Sequence, residues 1–312
     1  MQSILNQKLE DLKYTKYRTF FKKLGGFNNI GFFVHYGLKE KKPCYITKVA
    51  PNYLISREHS FLNWQAENLG KKKQFSSSVE MVEKIGQHYL ALTMSFYGQA
   101  ELVSQVQLKD LYLRMRACDE GFKQIKNQNK SRPMFLNSIE GDTKIINLIN
   151  NFVTTPSSQS AFEFIQQFFN LRSGMLVKSG LSPVMLEEAA NQIHQGLQAK
   201  NLEPYFGYVH GDFKKNNVRL NKGELYLIDF SYTAYGLRIW DLGFWFSKQK
   251  NISISKLREI AFFFELDEFE SLLFFYCFML AKLLHIDKNT LKKNDQKLIL
   301  EIIEEIKNAN IV

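Results

Sequence analysis

The sequence contains few cysteines and no long apolar run. Among its 312 residues there are three cysteines, Cys44, Cys118 and Cys277, and no two of them form a CxxC pair. Sparse, odd-numbered cysteines argue against a structural zinc site and indicate reduced thiols in a cytoplasm-like compartment. Residues 271–281, the most apolar helical segment, are too few to cross a bilayer, and residues 1–23 lack the apolar stretch of a signal peptide. We therefore expect a cytoplasmic protein without a transmembrane segment.

The sequence also lacks internal repeats, low-complexity tracts and any recognised nucleic-acid-binding module. Its hydrophobic content of 45% and charged content of 23% are typical of a globular protein with an ample core. The net charge is +10, and residues 1–97 carry 15 Lys and Arg against 7 Asp and Glu. A basic region attracts nucleotide phosphates, an anionic membrane face or nucleic acid. Without a nucleic-acid module, we expect no nucleic-acid partner.

Residue patterns in the first third of the chain predict an antiparallel sheet with one helix. Apolar spacing over residues 5–24 predicts an opening helix. Residues 25–49 have the pattern of three short antiparallel strands, and residues 79–85 and 89–96 predict two more. Between these two groups, residues 57–69 predict a helix. The predicted order of elements is therefore strand, strand, strand, helix, strand, strand.

The pattern after Gly98 is mainly helical. Residues 108–118 and 162–171 are amphipathic. Ser182-Pro183 predicts a helix start, because serine caps a helix well and proline fits its first position. From residue 239 the chain is predicted to be helical again as far as residue 308.

The most informative segment is residues 210–230, HGDFKKNNVRLNKGELYLIDF. A turn at residues 221–223 predicts a β-hairpin that brings Asn217 and Asp229 side by side at one end. Such an oxygen-rich pair suits Mg²⁺, which takes few protein ligands and shares the rest with substrate phosphates. Asp212 is then placed to accept a proton from an attacking hydroxyl. A base and two metal ligands are what phosphoryl transfer asks of a protein.

The pattern HGD-x-x-x-x-N, followed by a strand that ends in Ile-Asp-Phe, resembles the aminoglycoside phosphotransferase and choline kinase superfamily. The glycine of HGD, where protein kinases have arginine, favours this small-molecule branch. The resemblance implies an α+β, two-lobed protein-kinase-like fold. Residues 1–97 would form the nucleotide-binding lobe with its antiparallel sheet, and residues 98–312 a larger, mainly helical lobe for catalysis and acceptor binding. The implied cofactors are ATP and Mg²⁺.

The resemblance also implies charged residues that would handle phosphates. Lys48, on the third predicted strand, matches the lysine that holds the nucleotide's phosphates in kinases. A lysine that reaches into a cleft needs a counter-charge. Glu58 in the next helix is the acid best placed to provide it, and Glu67 is the alternative. Lys214, in the lysine place of the catalytic loop, would neutralise charge on the transferred phosphate.

Two further segments match nucleotide-binding parts of the family. One resembles the Gly-Gly-x-(Ser/Thr)-Asn turn of choline kinase-like enzymes, and its residues are Gly25, Gly26, Asn28 and Asn29. Glycines there let backbone amides approach an anion closely, although Asn28 departs from the family by standing in the hydroxyl place. The other is the hinge at residues 94–98, where Ser95 and Tyr97 would bind adenine through their backbone.

Two residues around the catalytic loop match supporting positions. Asp241 follows Asp229 by twelve residues, and the resemblance implies a buried acid bonded to the amides of the loop. His210 is expected to orient the loop rather than to act as the base. Ser231 stands where many choline kinase-like chains have an acid, which weakens a literal choline kinase assignment.

The acceptor is a small molecule whose identity stays open. One hypothesis is a cationic acceptor, received by an acidic cluster near the aromatic residues Trp245 and Phe262–Phe264. The cluster consists of Glu265, Asp267, Glu268 and Glu270. The alternative is that these acids face water, because a helix dipole favours acids in its first turn. Choline or ethanolamine, an aminoglycoside, a sugar and a surface-polysaccharide component all remain open.

The motifs leave two classes of function. The first is an ATP-dependent kinase that phosphorylates a hydroxyl of a small molecule. The second is a catalytically inactive kinase-like protein that binds a nucleotide or a partner. A protein kinase is a third reading, but the eleven residues between Asp229 and Asp241 leave no room for an activation loop.

Overall fold

A computed structural model of the chain provides the structure. It describes residues 17–22, 31–37, 42–71, 73–119, 180–199, 203–230, 233–284 and 292–309. By its contacts the chain divides into two compact units, residues 1–118 with 216–233 and residues 119–215 with 234–312. This grouping by contacts differs from the predicted division into lobes after residue 97, and the lobe division stays a prediction.

The first unit contains a five-stranded antiparallel sheet. Its strands lie in the order β1-β2-β3-β5-β4. Their bounds are β1 Tyr17–Lys22, β2 Gly31–Gly37, β3 Pro43–Pro51, β4 Val79–Ile85 and β5 Tyr89–Ser95. The predicted strands over residues 79–85 and 89–96 are therefore confirmed, and Lys48 lies on the third strand.

The first strand corrects one sequence-based prediction. Residues 17–22 belong to β1 and not to a helix, and Tyr17 pairs with Gly37 while Lys22 pairs with Phe32. The segment YRTFFK is rich in aromatic residues and contains threonine, which favour a strand when a neighbouring strand is available. The apolar spacing was too irregular to outweigh that pairing. The rest of the predicted helix, residues 5–16, lies outside the described residues.

Helix α1, Asn52–Asn68, begins directly after β3 and packs against β3, β4 and β5. It starts five residues before the helix predicted from residue 57. Its buried residues recur at three- and four-residue intervals, which places them on one face. They are Leu54, Ile55, Glu58, Phe61, Leu62 and Gln65. Two of the six are polar, and one of these, Glu58, belongs to the site.

The predicted hairpin is present in the first unit. Strands β8 (Val218–Asn221) and β9 (Glu224–Leu227) pair antiparallel, and β6 (Gly98–Gln99) adds a third strand beside β8. Lys222 and Gly223 have φ values of 50° and 87°, as a two-residue hairpin turn requires. The pairing ends at Leu227, so Asp229 and Phe230 follow β9 and are not part of it.

A buried arginine anchors this hairpin to the next helix. Arg114 lies on helix α2, Gln105–Arg116, which begins with a capping box at Ser104. Its guanidinium donates hydrogen bonds to the carbonyl oxygens of Gln74 and Leu225. Since both acceptors are backbone groups, the hairpin position does not depend on a particular side chain at either residue.

The second unit is mainly helical. Its helices are α3 Pro183–Ala199, α4 Trp240–Ser247, α5 Ile254–Phe263, α6 Glu268–Leu284 and α7 Lys293–Asn308. Helix α6 is buried almost throughout from Leu272 to Leu283 and packs against the other four. The predicted start of α3 is confirmed, because the Met185 amide donates to the Ser182 hydroxyl oxygen at 3.2 Å.

Two short strands interrupt the helices of the second unit. β7 (Phe206–Val209) pairs antiparallel with β10 (Ala234–Leu237). Neither strand was predicted, because the two segments lie far apart in the chain and no turn signal joins them, as one joins β8 to β9. The helix predicted over residues 162–171 lies outside the described residues. No helix in the described ranges is both long and apolar enough to cross a membrane.

Candidate active site

Lys48 lies at the centre of a buried ion-pair network in the first unit. Its Nζ is 2.8 Å from Glu58 Oε2 and 2.6 Å from Asp229 Oδ1. Lys48 is 2% exposed and Glu58 is 0% exposed. Burial disfavours the ammonium form, but the charges of Asp229 and Glu58 outweigh it and raise the pKa of Lys48 above its usual value. Lys48 therefore stays charged throughout the physiological range.

Glu58 has a second task in the same network. While its Oε2 accepts from Lys48, its Oε1 accepts from the Phe230 amide at 3.2 Å. The Lys48–Glu58 contact expected from the sequence is therefore present, and the alternative partner Glu67 is exposed. One carboxylate ties the lysine of β3 to the backbone that follows β9.

Asp229 has an uncommon backbone conformation. Its φ of 68° lies in the left-handed region, which aspartate enters more readily than most residues. This conformation turns the chain just after β9. The Phe230 ring then packs between Phe61 and Phe75, with ring centroids 5.0 Å and 6.3 Å away. A tight turn and an aromatic cluster together hold the Asp229 side chain toward Lys48.

Asn217 directly precedes β8, at the same end of the hairpin as Asp229. It is 6% exposed, and its carbonyl oxygen accepts from the Ile228 amide at 3.0 Å. This bond joins the residue before β8 to the residue before Asp229. The hairpin therefore holds Asn217 and Asp229 at one end, as expected. Within the described residues, no group of three or more His, Cys, Asp or Glu could hold a metal ion.

In the second unit, Asp241 organises the segment before Asp212. The Asp241 carboxylate is fully buried and accepts from the His210 amide at 2.7 Å and from the Gly211 amide at 3.0 Å. Gly211 has a φ of 84°, which glycine adopts without strain. The predicted buried acid bonded to loop amides is confirmed.

His210 and Lys214 flank Asp212 from either side. The Asp212 amide donates to Nδ1 of the buried His210 at 3.3 Å, which supports an orienting role. Lys214 Nζ lies 2.7 Å from Asp212 Oδ2. Asp212 is thus a half-buried carboxylate whose backbone is fixed and whose side chain has a cation beside it.

A lysine that sequence reasoning missed lies near this pair. Lys248 follows α4, and its Nζ lies 4.8 Å from the centre of the Phe244 ring. Burial and the nearby charge of Lys214 lower the pKa of Lys248 to about 8, although Asp212 opposes them. In the sequence, Lys248 stands in the polar run Ser-Lys-Gln-Lys, where a solvated lysine is the ordinary expectation.

The hinge residues have internal partners. The Ser95 amide donates to the Ser78 carbonyl at 3.1 Å, and the Phe96 amide donates to the Cys44 carbonyl at 2.9 Å. The Tyr97 ring packs edge-on against Tyr226. The Ser95 amide is therefore already engaged, and adenine recognition by these residues stays a prediction. The predicted glycine turn of Gly25, Gly26, Asn28 and Asn29 lies outside the described residues.

The acidic cluster before α6 has structural partners. Asp267 Oδ1 accepts from the Glu270 amide at 2.7 Å, and Glu270 Oε2 accepts from the Asp267 amide at 3.2 Å. This reciprocal pair is a helix cap. Glu270 also forms an ion pair with Arg238. Trp245 is buried and its ring packs against Phe213. Asp267, Glu270 and Trp245 therefore have structural partners, and reception of a cationic acceptor by the cluster stays a prediction.

A groove of about 920 Å³ lies among α5, α6 and α7. Its lining includes Arg258, Phe262, Glu268 and Glu301. The groove is lined by none of the described residues that we assign to catalysis or metal binding.

Comparisons with known proteins agree with this fold. Residues 159–255 match the family model described as "Phosphotransferase enzyme family". That match includes the HGD-x-x-x-x-N segment, Asp229 and Asp241. No curated protein sequence matches the chain.

Three solved structures share the fold over nearly their whole lengths. A spectinomycin phosphotransferase in complex with ADP and spectinomycin is 16% identical, covers 99% of this chain and 98% of its own, and has a TM-score of 0.56. An amicoumacin kinase in complex with AMP-PNP, Ca²⁺ and its substrate is 14% identical, with 98% and 93% covered and a TM-score of 0.52. A thermostable mutant of an aminoglycoside phosphotransferase is 12% identical, with 97% and 99% covered and a TM-score of 0.52.

At these identities the structural likeness establishes the fold alone. The fold is α+β, with an amino-terminal antiparallel sheet followed by a helical region. Together with the family match over residues 159–255, which spans less than half of the chain, this fold agrees with the resemblance found in the sequence.

Proposed function

We propose that this protein transfers the terminal phosphate of ATP to a hydroxyl group of a small molecule. The observation that carries the proposal is the network of Lys48 with Glu58 and Asp229. A charged lysine held by two carboxylates in a buried site is suited to bind phosphate oxygens, since its position and charge are both set in advance.

Asn217 and Asp229 are the residues that would hold Mg²⁺. Their donors are an amide oxygen and a carboxylate oxygen, which are the hard ligands this ion takes. Two protein ligands suffice, because substrate phosphates and water complete the coordination. When bound, Mg²⁺ would neutralise phosphate charge. The observed bond between Lys48 and Asp229 would then compete with the metal for the same carboxylate.

Asp212 would be the base in this reaction. The acceptor oxygen forms a bond to the terminal phosphorus while the bond from phosphorus to the bridging oxygen of ADP breaks, and the hydroxyl proton passes to Asp212. The backbone amides of His210 and Gly211 donate hydrogen bonds to the Asp241 carboxylate, and these bonds fix the backbone next to Asp212. Lys214 would stabilise the negative charge that spreads over the phosphate oxygens.

The nucleotide would also contact the amino-terminal sheet. Ser95 and Tyr97 would face the adenine, and the turn of Gly25, Gly26, Asn28 and Asn29 would cover the phosphates. The Ser95 amide already donates a hydrogen bond to the Ser78 carbonyl oxygen. A backbone contact of Ser95 with adenine would therefore use the Ser95 carbonyl oxygen.

The direct test measures ATP turnover with a panel of acceptors. Asp212→Asn should lower turnover about 10²- to 10⁴-fold, because the base is lost while the shape is kept. The control Glu101→Gln removes an exposed acid and should leave turnover unchanged. If Asp212→Asn turned over ATP as fast as the wild-type protein with a true acceptor, the assignment of Asp212 would be wrong.

The second candidate is a kinase-like protein without catalytic activity. It is distinguished by thermal shift with Mg-ATP followed by the turnover assay. Stabilisation by Mg-ATP without transfer to any acceptor or to water would favour binding alone. The complete set of base, metal ligands and paired lysine favours the enzyme.

A further inference from the structure

Two other lysines lie near Lys248 in the second unit, and one of them, Lys214, also forms an ion pair with Asp212. Lys214 lies within the HGD-x-x-x-x-N segment, Lys248 follows α4, and Lys282 lies in the last turn of α6. Lys282 Nζ donates to the carbonyl oxygen of Gln249 at 3.1 Å, so it lies against the residue next to Lys248. Lys248 interacts electrostatically with Lys214, Asp212 and Lys282. We call these three residues the lysine cluster.

The acids of this region are already matched with two members of the cluster. Asp212 pairs with Lys214 at 2.7 Å, and Asp295 pairs with Lys282 at 3.1 Å. Among the described residues, none forms an ion pair with the Lys248 ammonium. That ammonium lies instead over the face of the Phe244 ring. The cluster thus carries one positive charge more than its acids balance.

The environment of Lys248 is unfavourable for its own charge. Burial of the ammonium, followed by repulsion from Lys214 and Lys282, lowers its pKa to about 8 even though Asp212 attracts it. A lysine in such a place is stabilised when an anion approaches, because the anion supplies the missing counter-charge. Lys248 is itself partly exposed, so water screens part of this penalty.

We propose that the lysine cluster binds an anionic group, a carboxylate or a phosphate, carried by the acceptor of the phosphotransfer reaction, and that Lys248 determines this specificity. The inference rests on the proposed function, because it takes Asp212 as the group that receives the acceptor's proton. A cationic acceptor would meet like charges at this position. The cluster therefore favours acidic sugars or phosphorylated alcohols over aminoglycosides and choline.

Phosphates of the nucleotide are the other anions that could reach Lys248. Both sources share the same chemistry, and they are separated by adding each to the protein alone. Four sugars of one skeleton serve as acceptor probes: glucuronate, glucose 1-phosphate, glucose and glucosamine. AMP-PNP with Mg²⁺ serves as the nucleotide probe.

The first measurement follows Lys248 directly by NMR of protein labelled with ¹³C at lysine Cε. The Lys248 signal is identified by its absence in Lys248→Met. Glucuronate or glucose 1-phosphate should raise the pKa of Lys248 by about one unit or more, as an opposite charge nearby does. Glucose and glucosamine should leave it near 8. Failure of both anionic sugars to raise it would overturn the proposal.

The second measurement compares binding of the same sugars by calorimetry. Lys248→Met should weaken binding of the anionic sugars about 10-fold, which corresponds to one lost ion pair in a partly buried site. Lys248→Arg keeps the charge and should retain most of the affinity. The matched control Lys250→Met removes an exposed lysine two residues away and should have no effect.

Other outcomes are equally decisive. If AMP-PNP alone raises the pKa of Lys248 and the anionic sugars do not, Lys248 serves the nucleotide and the proposal is wrong. If glucosamine binds more tightly than glucuronate, the charge preference is the reverse of the one inferred. Failure of the phosphotransfer function itself would appear differently, as anion binding that depends on Lys248 in a protein that never consumes ATP.

Discussion

Two lysines show how the two units treat positive charge differently. Lys48 in the first unit is almost fully buried, but two carboxylates lie within 3 Å of it and its pKa is raised. Lys248 in the second unit keeps more contact with water, yet its pKa falls to about 8. Burial lowers the pKa of both lysines, and their partners differ. At Lys48 two carboxylates outweigh burial, whereas at Lys248 the attraction of Asp212 is opposed by Lys214 and Lys282.

Lys48 already has carboxylate partners in the structure, whereas Lys248 is proposed to gain an anionic partner when a ligand binds. Lys48 is held by two carboxylates, as its proposed contact with nucleotide phosphates would require. Lys248 is poised to gain a counter-charge. Three substitutions can break the contrast, and their expected effects decrease from Lys48 to Glu58 to Lys248.

The largest effect is expected for Lys48→Met. Removing the ammonium leaves Glu58 buried without its cation, which should destabilise the first unit by about 3 kcal/mol. ATP turnover should fall about 10³-fold, because the main phosphate-binding charge is gone. Urea denaturation and turnover assays measure the two losses. Lys84→Met, an exposed lysine on β4 of the same sheet, is the control and should change neither.

An intermediate effect is expected for Glu58→Gln. Glutamine keeps the shape and can still accept from the Phe230 amide, but it no longer balances Lys48, which keeps Asp229. The free energy of unfolding should fall by about 2 kcal/mol, as for loss of a charged hydrogen bond. The matched variant Glu67→Gln, on the exposed face of α1, should be neutral. Equal effects of the two substitutions would contradict the assignment of Glu58 as the partner of Lys48.

The smallest effect is expected for Lys248→Met, and its sign is opposite. A folded pKa near 8, below the usual 10.5, means that the charged lysine destabilises the folded state at pH below 8. Solvent contact reduces this penalty, so removal of the charge should stabilise the protein by about 1 kcal/mol at pH 7. The gain should decline above pH 8 and vanish above pH 10.5. Urea denaturation across this pH range measures the gain, and a gain that stays constant with pH would show that the charge of Lys248 is not its cause.

Much of the first unit was predictable because its signals are local. Strands β4 and β5 follow directly from residue types, and the Lys222-Gly223 turn requires positive φ angles that the sequence Asn-Lys-Gly favours. The predicted opening helix was wrong at residues 17–22, because the signal there is not local. A strand at the sheet edge depends on its neighbour β2, and pairing with a neighbour is not a property of the six residues themselves.

The site was predicted only in part, because contacts between residues far apart in the chain leave no local pattern in the sequence. Lys48 and Glu58 are ten residues apart, on a strand and the helix that follows it, so their contact could be expected. The bond from the Phe230 amide to Glu58 joins residues 172 positions apart and left no local signal. For the acids before α6, the sequence left open an acceptor site or a solvent-facing first helical turn. In the structure Asp267 and Glu270 cap the helix through reciprocal hydrogen bonds, which the sequence did not predict.

The sequence by itself determined the spacing of HGD-x-x-x-x-N, the hairpin turn and strands β4 and β5, because turn chemistry and residue propensities act over a few positions. Only the tertiary structure decided which charges meet. Lys48 reaches Asp229 across 181 positions, and Lys214, Lys248 and Lys282 converge from three segments. Burial and electrostatic energy depend on contacts between distant segments, so the same residue type became a paired cation on β3 and an uncompensated one after α4.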